Sequence, residues 1–241
     1  MQFEELLAAQ LADVVITHSH AEAALLRSRL PGARVAVVPW AVPLRASTTG
    51  FAERDGVVFV GDFAHSPNAD AVHRLAPEIV PLVQARDPEI CCRVAGNNMP
   101  ESLRRLARPG LEMIGAVETV DALFERARLT VAPLRYGAGV KAKVVESLAA
   151  GVPCVGTAVA FEGMNLPPAV QECIADTPEG LAAAVAKLYR DEAAHAAVAQ
   201  AGRRYALVTC GEANVDALMQ QAMAPALHRW AGIAGEALAA A

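Results

Sequence analysis

Short, unbroken apolar runs recur along this chain, and longer segments of helical period separate them. The runs are DVVITHS, RVAVVP, GVVFVG, EICCRVAG, LEMIG, LTVAPL and VPCVGT. Strands that are apolar at every position are covered on both faces, which is the mark of a parallel sheet. The intervening helical segments include Asn68 to Ala85, Val120 to Ala127, Val140 to Ala150 and Pro178 to Tyr189. Strand, helix, strand, helix predicts βαβ units, and right-handed crossovers put helices on both sides of the sheet. The predicted fold class is α/β, a doubly wound, Rossmann-like parallel sheet.

The rhythm is uneven. Residues 43–56 are polar, lack periodicity and read as a linker. The 42 residues before it hold about one and a half βα units, too few for a core of their own, and read as the residual end of an absent N-terminal domain. Residues 57–206 carry the main domain. Residues 207–241 supply a C-terminal helix, starting near Glu212, and a tail. An apolar stripe on that helix (Val215, Leu218, Met219, Met223, Leu227) is expected to lack its partner and to promote self-association.

Bulk chemistry removes several function classes. Lys and Arg number 21 against 26 Asp and Glu, a net charge of −5, which argues against nucleic acid as a partner. No apolar run approaches the ~20 residues of a membrane helix. The start, MQFEELLAAQ, has no basic segment of the secretory kind. The five cysteines (Cys91, Cys92, Cys154, Cys173 and Cys210) are odd in number and lack CxxC spacing, so reduced thiols in a cytoplasmic protein are expected. All but Cys210 lie in apolar contexts.

One stretch carries chemistry: APLRYGAGVKAKVVESLAAGVPCVG, Ala132 to Gly156. In open parallel sheets, ligands bind at the carboxyl ends of the strands, and this loop follows the strand LTVAPL. Gly137 and Gly139 allow the backbone to approach a ligand. The helix expected from Val140 offers unpaired N–H groups to an anion. Lys141 and Lys143 in its first turn oppose the helix dipole and make sense beside a phosphate. Glu146, one turn on, can accept from a vicinal diol such as ribose. Plainer readings stand beside this one: Lys143 and Glu146 as a surface pair, and the glycines as mere turns. Ser66 and Pro67 read as N-cap and N1 of a helix, and Asn97 and Asn98 as a turn at a strand end, with lining of a base pocket as the lesser alternative.

That stretch resembles the donor-binding segment of retaining group 1 glycosyltransferases of the GT-B architecture, as does VVFVGDFAHSPNADAVHRLAPEIVPLV before it. The likeness runs from about Asp13 to about Tyr205. It implies that Glu146 is the second glutamate of the EX7E signature and holds ribose hydroxyls. It implies that Gly139 and Val140 offer N–H groups to a diphosphate, with Gly61 lining the phosphate side. Val117 would contact the base, and Glu162 and Gly163 would face the cleft. The first glutamate of the signature falls on Ala138, and the usual Arg and Lys after the first strand are absent from GDFAHSPN.

The resulting expectation is a hexosyltransferase-type enzyme, mostly the donor-binding half and incomplete for activity alone. Glu146 and Lys141 would be catalytic. Gly61, Val117, Gly137, Gly139, Val140, Lys143 and Glu162 would bind the nucleotide-diphosphate sugar. The acceptor is unassigned: a glycan, a lipid-linked sugar or a small molecule. No cofactor or metal is expected, since no DxD-like cluster is present. The expected location is the cytoplasm, with peripheral association at the inner membrane face left open for a longer parent. Ala138 motivates the alternative, a non-catalytic nucleotide-binding or assembly module. A sugar-phosphate epimerase is a weaker third reading.

Overall fold

A computed structural model describes residues 3–43 and 49–239. The chain divides into two compact units: Met1–Ala41 with Thr209–Ala241, and Val42–Val208.

In the first unit, α1 (Phe3–Leu11) precedes β1 (Val15–Thr17), α2 (His20–Arg29) and β2 (Val35–Val37). The two strands pair in parallel, Val15 opposite Val35. The Ser19 hydroxyl caps α2 by accepting from the Glu22 N–H, the usual remedy for an orphan donor.

The second unit holds a five-stranded parallel sheet. Its strands are β3 (Val57–Val60), β4 (Cys92–Ala95), β5 (Leu111–Gly115), β6 (Leu129–Ala132) and β7 (Cys154–Gly156). All seven apolar runs of the sequence are therefore strands. The spatial order is β5-β4-β3-β6-β7. The chain moves outward from β3 to β5, then returns to place β6 on the other side of β3. This reversal defines a switch point between the carboxyl ends of β3 and β6.

The segment after β3 is one long helical rod: α3 (Ser66–Arg74), a π turn (Leu75–Ile79) and α4 (Val80–Arg86). Pro81 has no N–H to give residue 77, so the regular ladder breaks there and widens. The rod's N-cap is His65, with Ser66 inside the helix. The expected cap at Ser66 is therefore one residue late. After β4 comes α5 (Glu101–Arg104), and after β5 comes α6 (Val120–Arg126), capped by the Thr119 hydroxyl. β6 leads to α7 (Ala142–Ala149), and β7 to α8 (Pro168–Gln171) and α9 (Pro178–Arg190), which Thr177 caps. Next come α10 (Glu192–Cys210) and α11 (Glu212–Ala239). α4 packs against α9. On β3, Val58 and Val60 meet Phe124, Val120 and Leu123 of α6. α10 has no counterpart among the predicted helices.

Two expectations need correction. The segment read as a linker is partly docked. Residues 44–48 lie outside the described residues, but Phe51–Glu53 form a 3-10 turn. Arg54 is buried and donates to the carbonyls of Phe124 and Ala127, at 2.9 and 3.0 Å. The α11 stripe is not left open either. Within the first unit Val215, Leu218 and Ala222 pack with Val38, Val14, Ile16 and Ala36. Met219 and Leu227, assigned to that stripe, are exposed. All five thiols are unpaired, and only Cys91 is not fully buried. Cys210, placed outside the apolar set, is buried too, and burial pushes its thiol up to about 11. Among the described residues no helix is long and apolar enough to cross a membrane.

Candidate donor site at the switch point

The loop after β6 and the loop after β3 diverge at the switch point, and most of the candidate residues gather there. Gly61 directly follows β3, buried, with its N–H on the Ala95 carbonyl at 3.1 Å. Its neighbour Gly96 adopts φ +145, and a Cβ on Gly96 would overlap the Gly61 carbonyl oxygen. Two strand ends meet here without side chains, which leaves main chain at the carboxyl end of the sheet.

Across the switch point, Gly137 and Gly139 both have positive φ, +137 and +74. Those conformations strain any residue with a Cβ, so the GAG spacing is a backbone requirement. α7 starts at Ala142, two residues later than the sequence predicts, because Lys141 is extended (φ −90, ψ 106) and serves as N-cap. Its side chain gives the helix no capping bond. The first N–H groups of an eight-residue amphipathic helix therefore face the switch point without a side-chain acceptor.

The two lysines differ. Lys141 lies at the loop, not in the helix's first turn. Its ammonium donates to the carbonyls of Gly137 (3.1 Å) and Gly139 (2.5 Å) and reaches Glu162 at 3.3 Å. It closes the loop from below and brings Glu162 to the site. Lys143 has a different set of partners. Its ammonium donates to Asn68 Oδ1 at 2.5 Å and sits 4.4 Å from the Phe59 ring centre. Burial pushes Lys143 down to about 8, partly offset by Cys154 and Glu146. Glu146 is half-buried on the next turn of α7 and takes no hydrogen bond from a described residue. Val140 lies in the loop just before the cap. Val117 is the outlier: it follows β5, the edge strand, two strands away from β3. Ala138, where a first glutamate was expected, is exposed between the two glycines.

Three further residues, Asp62, Asn68 and Asn98, are hydrogen-bonded beside the switch point; of these only Asn98 was singled out in the sequence, as a turn residue. Asn68 donates to the Asp62 carbonyl at 2.7 Å while accepting from Lys143. The Asp62 carboxylate accepts from Asn98 Nδ2 at 2.8 Å and from the Ala64 N–H at 2.9 Å. These bonds hold its carboxyl below the ordinary range, the Asn98 bond foremost. Asn98 is the one described non-glycine residue with positive φ, +56. The only signal for them in the sequence is position, since each follows a strand's carboxyl end. A cavity of about 470 Å³ lies elsewhere, lined by Glu53, Asp55, Arg93 and Arg126. There Asp55 is already bonded to Arg93 and Tyr189.

The family described as "Glycosyl transferases group 1" matches residues 54–191, more than half of the chain. No curated protein sequence matches. Among solved structures, a mutant of S. aureus TarM in complex with fondaparinux, alpha-GlcNAc-glycerol and UDP is similar, with TM-score 0.76 and 12% identity over 89% of this chain and 44% of that one. Sucrose-phosphate synthase from Thermosynechococcus elongatus has TM-score 0.72 and 19% identity, over 95% of this chain and 61% of that one. Anabaena HepE in complex with UDP-glucose has TM-score 0.71 and 15% identity, over 92% and 65%. The chain thus spans between 44% and 65% of these proteins. At such identities the likeness is one of fold, a GT-B half. The chain belongs to the group 1 glycosyltransferase family.

Proposed function

We propose that this chain is the donor-binding half of a retaining glycosyltransferase that takes a hexosyl group from a nucleoside diphosphate sugar. One observation carries the reading: a positive-φ glycine loop opens onto a helix without a side-chain cap, at the switch point of a parallel sheet. Main-chain N–H groups from Gly139 to Lys143 would meet the diphosphate, and Lys143 would supply charge. Glu146 would accept from the ribose hydroxyls, and Glu162 would face the sugar side. In transfer, the bond between sugar C1 and the β-phosphate oxygen breaks and the electron pair leaves with the nucleoside diphosphate. The acceptor oxygen bonds C1 on the same face and gives its proton to the departing β-phosphate oxygen. Preorganised N–H groups and an ammonium stabilise that leaving charge without reorganisation. Lys141 contributes to it once its ammonium leaves the loop carbonyls. The proposal needs no metal. The acceptor site, and with it robust turnover, is assigned to a longer parent, and the proposed location is the cytoplasm.

Ala138 favours a second reading, a non-catalytic nucleotide-binding module, since the carboxylate expected near the sugar is missing. A thermal-shift screen with UDP, GDP, ADP and their sugars tests the shared part. One nucleotide at 100-fold its Kd is expected to stabilise by about 2.7 kcal/mol, and Glu146→Ala to lose most of that shift. No shift with any nucleotide, or an undiminished shift in Glu146→Ala, overturns the site. Transfer by the full-length parent separates the two readings.

A further inference from the structure

We infer that Asn68 is a positioning residue: its amide fixes the Lys143 ammonium at the mouth of α7, where the proposed diphosphate lies. The inference rests on the donor-site reading above. The amide can be oriented only one way. The Asp62 carbonyl requires a donor, so Nδ2 faces it at 2.7 Å, and Oδ1 is left for the ammonium at 2.5 Å. A flipped amide would set oxygen against oxygen and NH2 against NH3. Asn68 is locked from behind as well. A Cβ on Gly61 would come within 2.8 Å of Asn68 Cγ, so the Asn68 side chain occupies space that only a glycine leaves open. Asp62 is braced in turn by Asn98. A continuous set of contacts thus runs from the end of β4, through the end of β3, to a lysine 75 residues further along.

Lys143 needs such a partner. It lies over Phe59, half-buried, and burial disfavours its charge. The charged and titratable groups around it are Glu146 and Lys141 on α7 and at its cap, and the Cys154 thiol from β7. None of these is bonded to it. Asn68 is its hydrogen-bond acceptor among the described residues and keeps the proton on a buried amine. Asn68→Ala removes the acceptor, so Lys143 releases its proton at lower pH. Asn68→Asp supplies a negative acceptor, so Lys143 releases it at higher pH.

The chain has only three lysines, Lys141, Lys143 and Lys187, so NMR of isotopically labelled lysine in the full chain reads Lys143 directly. UDP affinity is measured in parallel by calorimetry from about pH 6 to about pH 10. The expected result is opposite movement of the Lys143 titration in the two variants. UDP binding in Asn68→Ala should be about tenfold weaker, and its loss with pH should begin earlier. A packing defect would move both variants the same way or leave the titration in place, and either outcome overturns the inference. The donor reading is judged separately by Lys143→Met. If that variant binds UDP as tightly as the original chain, the reading fails, while the lysine titration still decides the role of Asn68.

Discussion

Lys143 sits where folding alone would not put an ammonium. In an unfolded chain a lysine titrates near 10.4; in this fold Lys143 titrates at about 8. Between those values the unfolded chain carries the extra proton, so stability rises with pH across that window, and at neutral pH the full burden of the buried charge is present. Lys143→Met is therefore expected to raise the stability of the nucleotide-free chain at pH 7 by about 1 kcal/mol and to flatten that rise, as urea unfolding at pH 7 and pH 9 would show. Gly96 is the opposite case. Gly96→Ala meets both a positive φ and the Gly61 carbonyl, and is expected to cost about 3 kcal/mol or more. An unchanged urea midpoint would mean that the two strand ends have room to part.

At the scale of elements, α7 is held by hydroxyls as well as by apolar contacts. Ser147 donates to the Val152 carbonyl at 2.9 Å, so the 2.6 Å bond with Thr130 must have Thr130 as donor. Ser147→Ala would leave two buried groups unpaired and is expected to cost about 2 kcal/mol. Thr130→Val made on top of it should cost little more, and an additive double mutant would show that the hydroxyls act apart. The sequence disclosed these elements unevenly. The strands were legible because runs such as VVFV are apolar at every position and LTVA is broken only by a buried threonine. The α7 boundary was misplaced by two residues because nothing local shows that Lys141 is extended and tied to Gly137 and Gly139. α10 escaped notice because alanines dilute its apolar period. The glycines, lysines and Glu146 could be picked out by type and spacing. The Asn68–Lys143 bond could not, since it joins residues 75 apart through a sheet that must form first.

In the molecule as a whole, each unit depends on a late segment. The small β1–β2 sheet has α11 as its cover, through Val215, Leu218 and Ala222. Deleting residues 212–241 would return Val38 and Ile16 to water at a cost of about 2 kcal/mol for each large side chain. Hydrogen exchange at Val15 and Val38 is expected to speed up by orders of magnitude, while the amides of β3 and β4 stay protected; protection retained at Val38 would contradict this. The five-stranded sheet has a dependence of another kind. Its central strand, β3, is also its first in sequence. A ribosome therefore releases VVFV with both edges bare. One is covered only when β4 has emerged, the other only after β6, some seventy residues later at about 5–20 residues per second. For those seconds a short apolar ribbon of high β-propensity is open to any other nascent chain, so slower translation between residues 61 and 132 is expected to lower the soluble yield, as expression with synonymous slow codons in that span would show.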